Sequence, residues 1–204
     1  MIVIIDYDMG NVGSIKNILD KIGNEETIIS RNHNDIQKAD KLILPGVGAF
    51  DSGMANLEKY DLVTIIKDQV IEHKKMLLGI CLGMQLIGES SEEGEKRGLS
   101  LIPFCSRRFD LPRDYKIPHM GWDNVEICDE NNTLLSGIID KKPRYYFVHS
   151  YHAVCEEKYV LMKCKYGYEF AAAIYHENIV GVQFHPEKSH RFGMELLSSI
   201  LRIE

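Results

Sequence analysis

The stretch Met76-Leu77-Leu78-Gly79-Ile80-Cys81-Leu82-Gly83-Met84-Gln85-Leu86 restricts the fold more than any other part of the chain. The apolar run 76–80 reads as a buried strand, and a helical pattern (Met84, Leu86, Ile87) begins directly after Cys81. To hold a side chain at the tip of so tight a strand-to-helix turn, the backbone crowds itself two residues to either side. Gly79 and Gly83 stand at those positions, and glycine tolerates the crowding. This is the G-x-S-x-G frame of a nucleophile elbow with cysteine in place of serine, and it aims the N–H of Leu82 at a developing oxyanion. The helix after the turn points its N-terminus toward the sulfur, which favours a thiolate. Most lone cysteines are nevertheless inert and buried, so the elbow needs partners elsewhere in the chain.

Short apolar runs alternating with helical patterns in the first half predict a parallel α/β sheet. Strands are expected over 1–7, 26–29, 41–44 and 76–80, and helices over 14–22, 54–60 and 62–73. Pro45-Gly46-Val47-Gly48 closes the third strand. In such sheets sites form at the carboxyl ends of strands, so this glycine loop can offer a second oxyanion donor near Val47 or Gly48. Taken alone, this loop reads first as a turn that merely needs positive φ. From 90–97, a polar loop, the texture changes. Strands are then expected over 102–109, 124–127, 145–151, 159–165, 171–175 and 179–184, several of them antiparallel through turns at Lys165-Tyr166-Gly167 and His176-Glu177-Asn178. A final helix is expected over 189–201. No repeat, low-complexity tract or linker interrupts 1–204, which reads as one domain.

Composition excludes several function classes. The 24 basic and 30 acidic residues leave a net charge of −6 and form no basic block, so neither nucleic acid nor membrane is an expected partner. The amino terminus lacks a basic region and cleavage site, and no apolar run approaches membrane-spanning length. Five cysteines (Cys81, Cys105, Cys128, Cys155, Cys164) without C-x-x-C spacing predict free thiols in a reducing cytoplasm, with no metal or other cofactor.

A cysteine nucleophile needs a base. Val182-Gln183-Phe184-His185-Pro186-Glu187 places His and Glu two residues apart at a strand end, where an extended chain sets both on one face. Glu187 can then hold one ring nitrogen while the other faces Cys81, the arrangement of acyl transfer through a thioester. His149, in Tyr146-Phe147-Val148-His149-Ser150-Tyr151, is the rival base. His119, in Pro118-His119-Met120-Gly121-Trp122, suggests a contact surface or substrate rim, and His33, His73, His152, His176 and His190 are expected to face solvent.

The elbow Gly79-Ile80-Cys81-Leu82-Gly83-Met84-Gln85 together with His185-Pro186-Glu187 resembles a class I (triad-type) glutamine amidotransferase. Asp6-Tyr7 through Gly10-Asn11, Pro45 through Phe50, Pro118 through Trp122 and Tyr146 through Tyr151 extend the resemblance to the glutaminase subunits of imidazole glycerol phosphate synthase, over essentially the whole chain. It implies a flavodoxin-like fold: a mixed, mainly parallel sheet flanked by helices, with a C-terminal half rich in antiparallel strands. It also implies Cys81, His185 and Glu187 as the triad. Backbone at Gly46, Val47, Gly48 and Leu82 would serve the oxyanion, and Gln85, His149, Ser150 and Tyr151 would lie along bound glutamine. Asn11, Pro118, His119 and Trp122 would stand near a (β/α)8-barrel cyclase that takes the ammonia and forms imidazole glycerol phosphate and an aminoimidazole carboxamide ribotide in histidine biosynthesis. The glutaminase is expected to be nearly silent until that partner binds its ligand. One departure is Asp8, where the family usually has glycine, so the turn after the first strand is expected to differ.

Other readings of the same residues are a paralogue supplying ammonia to surface-polysaccharide sugar biosynthesis, a different cysteine hydrolase on a similar elbow, and a non-catalytic module that only binds its partner. The last has no need of a thiol, base and orienter together.

Overall fold

The computed structural model describes residues 1–23, 26–129 and 132–202. Its first strands, β1 (Ile2–Ile5), β2 (Thr27–Ser30), β3 (Lys41–Leu44) and β4 (Met76–Ile80), are parallel and lie in the order β2-β1-β3-β4. Apolar runs are what a sheet covered on both faces demands. Successive side chains alternate accordingly: Ile2 and Ile4 join one buried cluster, Val3 and Ile5 the other. Helix α1 (Val12–Lys21) covers the first face through Ile15, Ile18 and Leu19. On the second face, beyond a short α2 (His33–Lys38), pack α3 (Phe50–Lys59), α4 (Leu62–Lys67) and α5 (Leu82–Ile87).

Beyond β4 the sheet continues with a strand from the far end of the chain. Strand β12 (Ile179–Val182) pairs parallel with β4, placing Ile80 opposite Val182. Before β12 in the chain come β5 (Ser90–Ser91), β6 (Cys105–Arg108), β7 (His119–Ile127), β8 (Arg144–His149), β9 (Tyr151–Val154), β10 (Val160–Tyr166) and β11 (Tyr168–His176). From β12 outward the order β12-β11-β10-β7-β8 is antiparallel throughout, while β5, β6 and β9 branch off β11. Helix α6 (His190–Leu201) returns to the α1 face through Leu196, Leu197 and Ile200. The expected mixed sheet is therefore present, and its parallel and antiparallel halves meet at β12.

Local differences from the sequence reading have local causes. α2 was not expected; Asn32 caps it by accepting from the N–H of Asn34. The expected helix 62–73 widens over Asp68–Glu72, where the N–H of His73 reaches back five residues to the Asp68 carbonyl. Strand 145–151 divides at Ser150 into β8 and β9, which pair with different neighbours, and β7 starts at His119 rather than 124 because it runs the length of β8. β6 starts at 105 rather than 102, and the expected loop 90–97 contains β5. Asp8 stands at φ 62°, a backbone conformation that glycine adopts more easily. Arg31 bridges Asp8 at 2.6 Å and Asp6 at 2.7 Å, and the Tyr60 hydroxyl donates to Asp8.

Candidate active site

Because β4 and β12 are parallel neighbours in register, the residues after Ile80 and those after Val182 emerge side by side at the carboxyl edge of the sheet. Cys81 is the first of these on the β4 side. Its backbone stands at φ 54°, ψ −108°, a conformation that costs about 1–3 kcal/mol for a residue with a side chain. The surroundings hold it there: its N–H donates to the Val182 carbonyl at 2.8 Å and its carbonyl accepts from the Gln85 N–H at 3.2 Å. The flanking glycines are required by contact. A Cβ on Gly83 would lie 1.9 Å from the Leu44 carbonyl oxygen, one on Gly79 2.5 Å from Ile87, and one on Gly46 2.7 Å from the Gly83 nitrogen.

His185 lies in the segment beyond β12. Its N–H donates to the Tyr146 carbonyl at 2.8 Å, and its ring Nδ1 stands 2.8 Å from Glu187 Oε1, with both side chains buried. The chain does not stay extended from 185 to 187 as expected. It enters a tight turn at Pro186–Lys188, and that turn brings the carboxylate back to the ring. Ser189, fully buried, closes the turn by donating to the His185 carbonyl at 2.6 Å and accepting the Tyr146 N–H at 3.0 Å. A carboxylate only accepts, so Nδ1 carries a proton and Nε2 is the ring nitrogen left to exchange a proton elsewhere. Burial opposes charge on this imidazole, but the Cys81 sulfur and the Glu187 carboxylate outweigh it and lift the pKa to about 9. Nε2 is buried and has no hydrogen-bond partner, so Cys81 acts on the ring by proximity without an aligned bond.

In this state the Cys81 sulfur has other neighbours: the Val148 carbonyl oxygen at 3.9 Å and Gln183 Nε2 at 3.8 Å. The Leu82 N–H is turned to the Gly46 carbonyl in a long contact of 3.4 Å. Tyr7, wholly buried, donates its hydroxyl to the Pro45 carbonyl and so ties down the same loop, which passes through Gly48 at φ 110°. Burial, and then the sulfur, push the Tyr7 phenol far above its ordinary pKa, so it remains a donor.

A cavity of about 350 Å3 opens over the sulfur, lined among others by Gly48, Leu82, Gln85, Glu93, Ser150 and His185. Val47, Pro118, His149 and Tyr151 also border it. Hollows of about 420–620 Å3 elsewhere, one of them at the amino-terminal ends of β3, β4 and β12, are lined by neither cysteine nor histidine among the described residues. Gln85 is fixed by donating to the Tyr151 carbonyl at 3.1 Å and to Gln183 Oε1 at 3.2 Å. Glu93 accepts the Phe50 N–H at 2.8 Å at the start of α3 and borders the cavity. Sequence reasoning missed Glu93, hidden in a polar loop with several acids. It also missed Ser189 and Gln183, although Gln183 lies inside the stretch that singled out His185.

The other histidines need correction. His119 is not on a contact surface: it is 2% exposed, stacked between Phe147 and Tyr166, with Nδ1 3.1 Å from His149 Nε2. His149 borders the cavity, but its Nδ1 is tied to the Tyr151 carbonyl at 2.7 Å and burial drives its pKa down to about 3, which removes it as a rival base. His152 is buried against the Tyr168 hydroxyl at 2.9 Å, and His176 is half-buried. The remaining surface expectations fare better: Asn11 and Pro118 are exposed, and Trp122 is 42% exposed, stacked on His190.

Comparison with known proteins agrees with this geometry. Residues 3–202 match the family described as "Glutamine amidotransferase class-I". "Imidazole glycerol phosphate synthase subunit HisH 2" of Methanococcus maripaludis is 51% identical over 203 residues, covering 99% of each chain, and the protein of the same name in Pseudomonas aeruginosa is 46% identical over all of both chains. In fold the chain is similar to PurLQS of Thermotoga maritima, with a TM-score of 0.72 at 19% identity and 98% and 97% of the two chains covered. A sheet whose parallel half delivers an elbow cysteine beside a His–Glu pair, with a full-length family match and relatives near half identity, places the chain in the class-I glutamine amidotransferases, among the HisH glutaminase subunits of imidazole glycerol phosphate synthase in histidine biosynthesis.

Proposed function

We propose that the chain hydrolyses the side-chain amide of glutamine at Cys81 and passes the ammonia to a (β/α)8-barrel cyclase subunit with which it forms a heterodimer. The observation that carries this reading is the elbow cysteine and the His185–Glu187 pair on adjacent parallel strands, opening into one cavity. With its pKa lifted to about 9, His185 holds on Nε2 the proton that the thiol gives up, and the Cys81 thiolate attacks the amide carbon. The tetrahedral oxyanion is held by the N–H of Leu82 with one from the Val47–Gly48 backbone, and Gly46 sets their approach. Collapse of the intermediate breaks the C–N bond, His185 returns the proton to the leaving nitrogen, and ammonia departs from a glutamyl thioester. Water activated by the same nitrogen then releases glutamate and the thiol. Gln85 and the His149-Ser150-Tyr151 segment line the substrate, and the Glu93 carboxylate is placed for its α-ammonium.

Two features support a low basal rate. The Leu82 N–H is occupied by the Gly46 carbonyl, and the sulfur lies near Val148 rather than bonded to His185. Turnover then requires residues 45–48 to turn their backbone, a shift that a partner can stabilise. Trp122, Asn11 and Pro118 are exposed for that contact, with His119 bracing β7 from inside. The reading treats 1–204 as one amidotransferase domain in a reducing cytoplasm, consistent with the free thiols. Among the described residues no helix is long and apolar enough to cross a membrane.

The test is glutamine hydrolysis by the purified chain, alone and with a histidine-pathway barrel cyclase and its nucleotide ligand, using Cys81→Ala as blank. Strong ligand-dependent stimulation, lost in the variant, is the expected result. Activity that ignores that cyclase would reassign the acceptor to a surface-polysaccharide sugar partner.

A further inference from the structure

Gln183 has no part in the mechanism above, yet it is completely buried and its amide lies between the nucleophile and the substrate wall. A buried amide is costly unless each of its polar atoms is satisfied. The direction in which this one points is set by its neighbours. The Tyr151 carbonyl is an acceptor only, so the Gln85 atom 3.1 Å from it is the amide nitrogen. That same nitrogen lies 3.2 Å from Gln183, which must present its oxygen there. The Gln183 nitrogen is therefore turned to the Cys81 sulfur, 3.8 Å away.

We propose that Gln183 is a catalytic group that donates an N–H to the Cys81 sulfur and stabilises it as the anion, braced in that orientation by Gln85 and the Tyr151 carbonyl. The proposal rests on the reading of Cys81 as nucleophile and adds a residue to it. A neutral thiol is a poor acceptor and a thiolate a good one, so the buried N–H is fully satisfied only after the proton leaves. The Val148 carbonyl acts in the opposite sense. It can accept a hydrogen bond from a thiol but only repels a thiolate, so of the two contacts at 3.8 and 3.9 Å only the one from Gln183 strengthens on ionisation. The donor is neutral and needs no proton transfer to act, which leaves His185 free to move the proton. The brace also joins the thiol to Tyr151, a residue of the cavity wall, so a ligand that shifts β9 shifts the donor. The remaining ionisable groups around the sulfur are His185 with Glu187 behind it, Tyr7 after β1, His149 at the end of β8 and Glu93 across the cavity.

The experiment is the pH dependence of Cys81 alkylation by iodoacetamide in the full chain, read at the Cys81 peptide by mass spectrometry. Gln183→Met keeps the volume and removes the donor, and Gln183→Glu keeps the shape and sets a carboxylate against the sulfur. The midpoint of the rate profile should rise by about one pH unit in the first and by more in the second, with the high-pH plateau within about twofold of the native chain. A merely structural role would alter the plateau or the melting temperature and leave the midpoint in place. An unchanged midpoint in either folded variant overturns the proposal. Alkylation needs neither glutamine nor a partner, so the glutaminase reading and this one can fail separately.

Discussion

Gly83→Ala tests whether the close approach of two backbones holds the reaction geometry. The added methyl would stand 1.9 Å from the Leu44 carbonyl oxygen and 2.8 Å from its carbon, and these are the end of β3 rather than a side chain that could rotate away. Ordinary contact begins near 3.4 Å, so α5 and the end of β3 must separate by more than 1 Å. Overpacking of this kind costs about 2–3 kcal/mol, or a fall in Tm of about 4–12 °C for a chain of this size. The functional loss should be larger. Leu82 and Cys81 begin the displaced helix while Gly46 to Gly48 continue from β3, so the two proposed oxyanion donors move apart, and a misplacement of about 1 Å can cost about a hundredfold in rate. Thermal melting and glutamine turnover with the partner present measure the two effects. Gly13→Ala is the control, because its Cβ would meet nothing within 4 Å on α1; it should leave turnover intact and raise Tm by about 1–4 °C. A Gly83→Ala chain with native Tm and native turnover would refute the reasoning.

Stability should depend on pH from both sides. His185 binds its proton more tightly folded (pKa about 9) than unfolded, so its contribution is complete below about pH 6.5 and is lost as pH rises through 9. His149 is held neutral, with a folded pKa of about 3, so its contribution is complete above about pH 6.5 and falls as pH drops toward 3. Urea unfolding across pH 4–10 should flatten at the alkaline end in His185→Ala and at the acid end in His149→Phe; limbs unchanged from native would contradict both assignments. Asp8→Gly loses exposed contacts to Arg31 and Tyr60 but relieves a positive φ, so Tm should stay within about 2 °C of native, and a larger drop would show that the ion pair holds the turn.

The site depends on where the sheet changes direction. A cysteine after β4 and a histidine after β12 are separated by about half the chain, and only the parallel pairing of Gly79 with Gly181 and Ile80 with Val182 sets their exits side by side. Since β12 is antiparallel to β11, the chain beyond it leaves the sheet beside β8, whose Tyr146 receives the His185 N–H. Cys81 thus sits on the parallel half, the cavity border at Ser150 and Tyr151 on the antiparallel half, and His185 between them.

The elbow, the His–Glu pair and the parallel strands were legible in the sequence because each is a local signature: apolar runs of four or five residues, glycines at fixed offsets and two functional side chains within one tripeptide. The same locality explains the errors. β7 and β8 were misjudged in length because their extent is set by each other, and α2 is too short for its periodicity to register. His119 and His152 read as surface residues, since nothing in their neighbours announces that Phe147, Tyr166 and Tyr168 from distant strands close over them. Glu93, Ser189 and Gln183 become significant only through contacts with Phe50, Tyr146 and Cys81, which lie 43, 43 and 102 residues away along the chain. Residue order was enough to single out Cys81, His185 and Glu187. Their separation, the direction of each hydrogen bond and the turning of the Leu82 N–H toward Gly46 came from tertiary packing, because hydrogen bonding between segments so far apart has no signature in either segment alone.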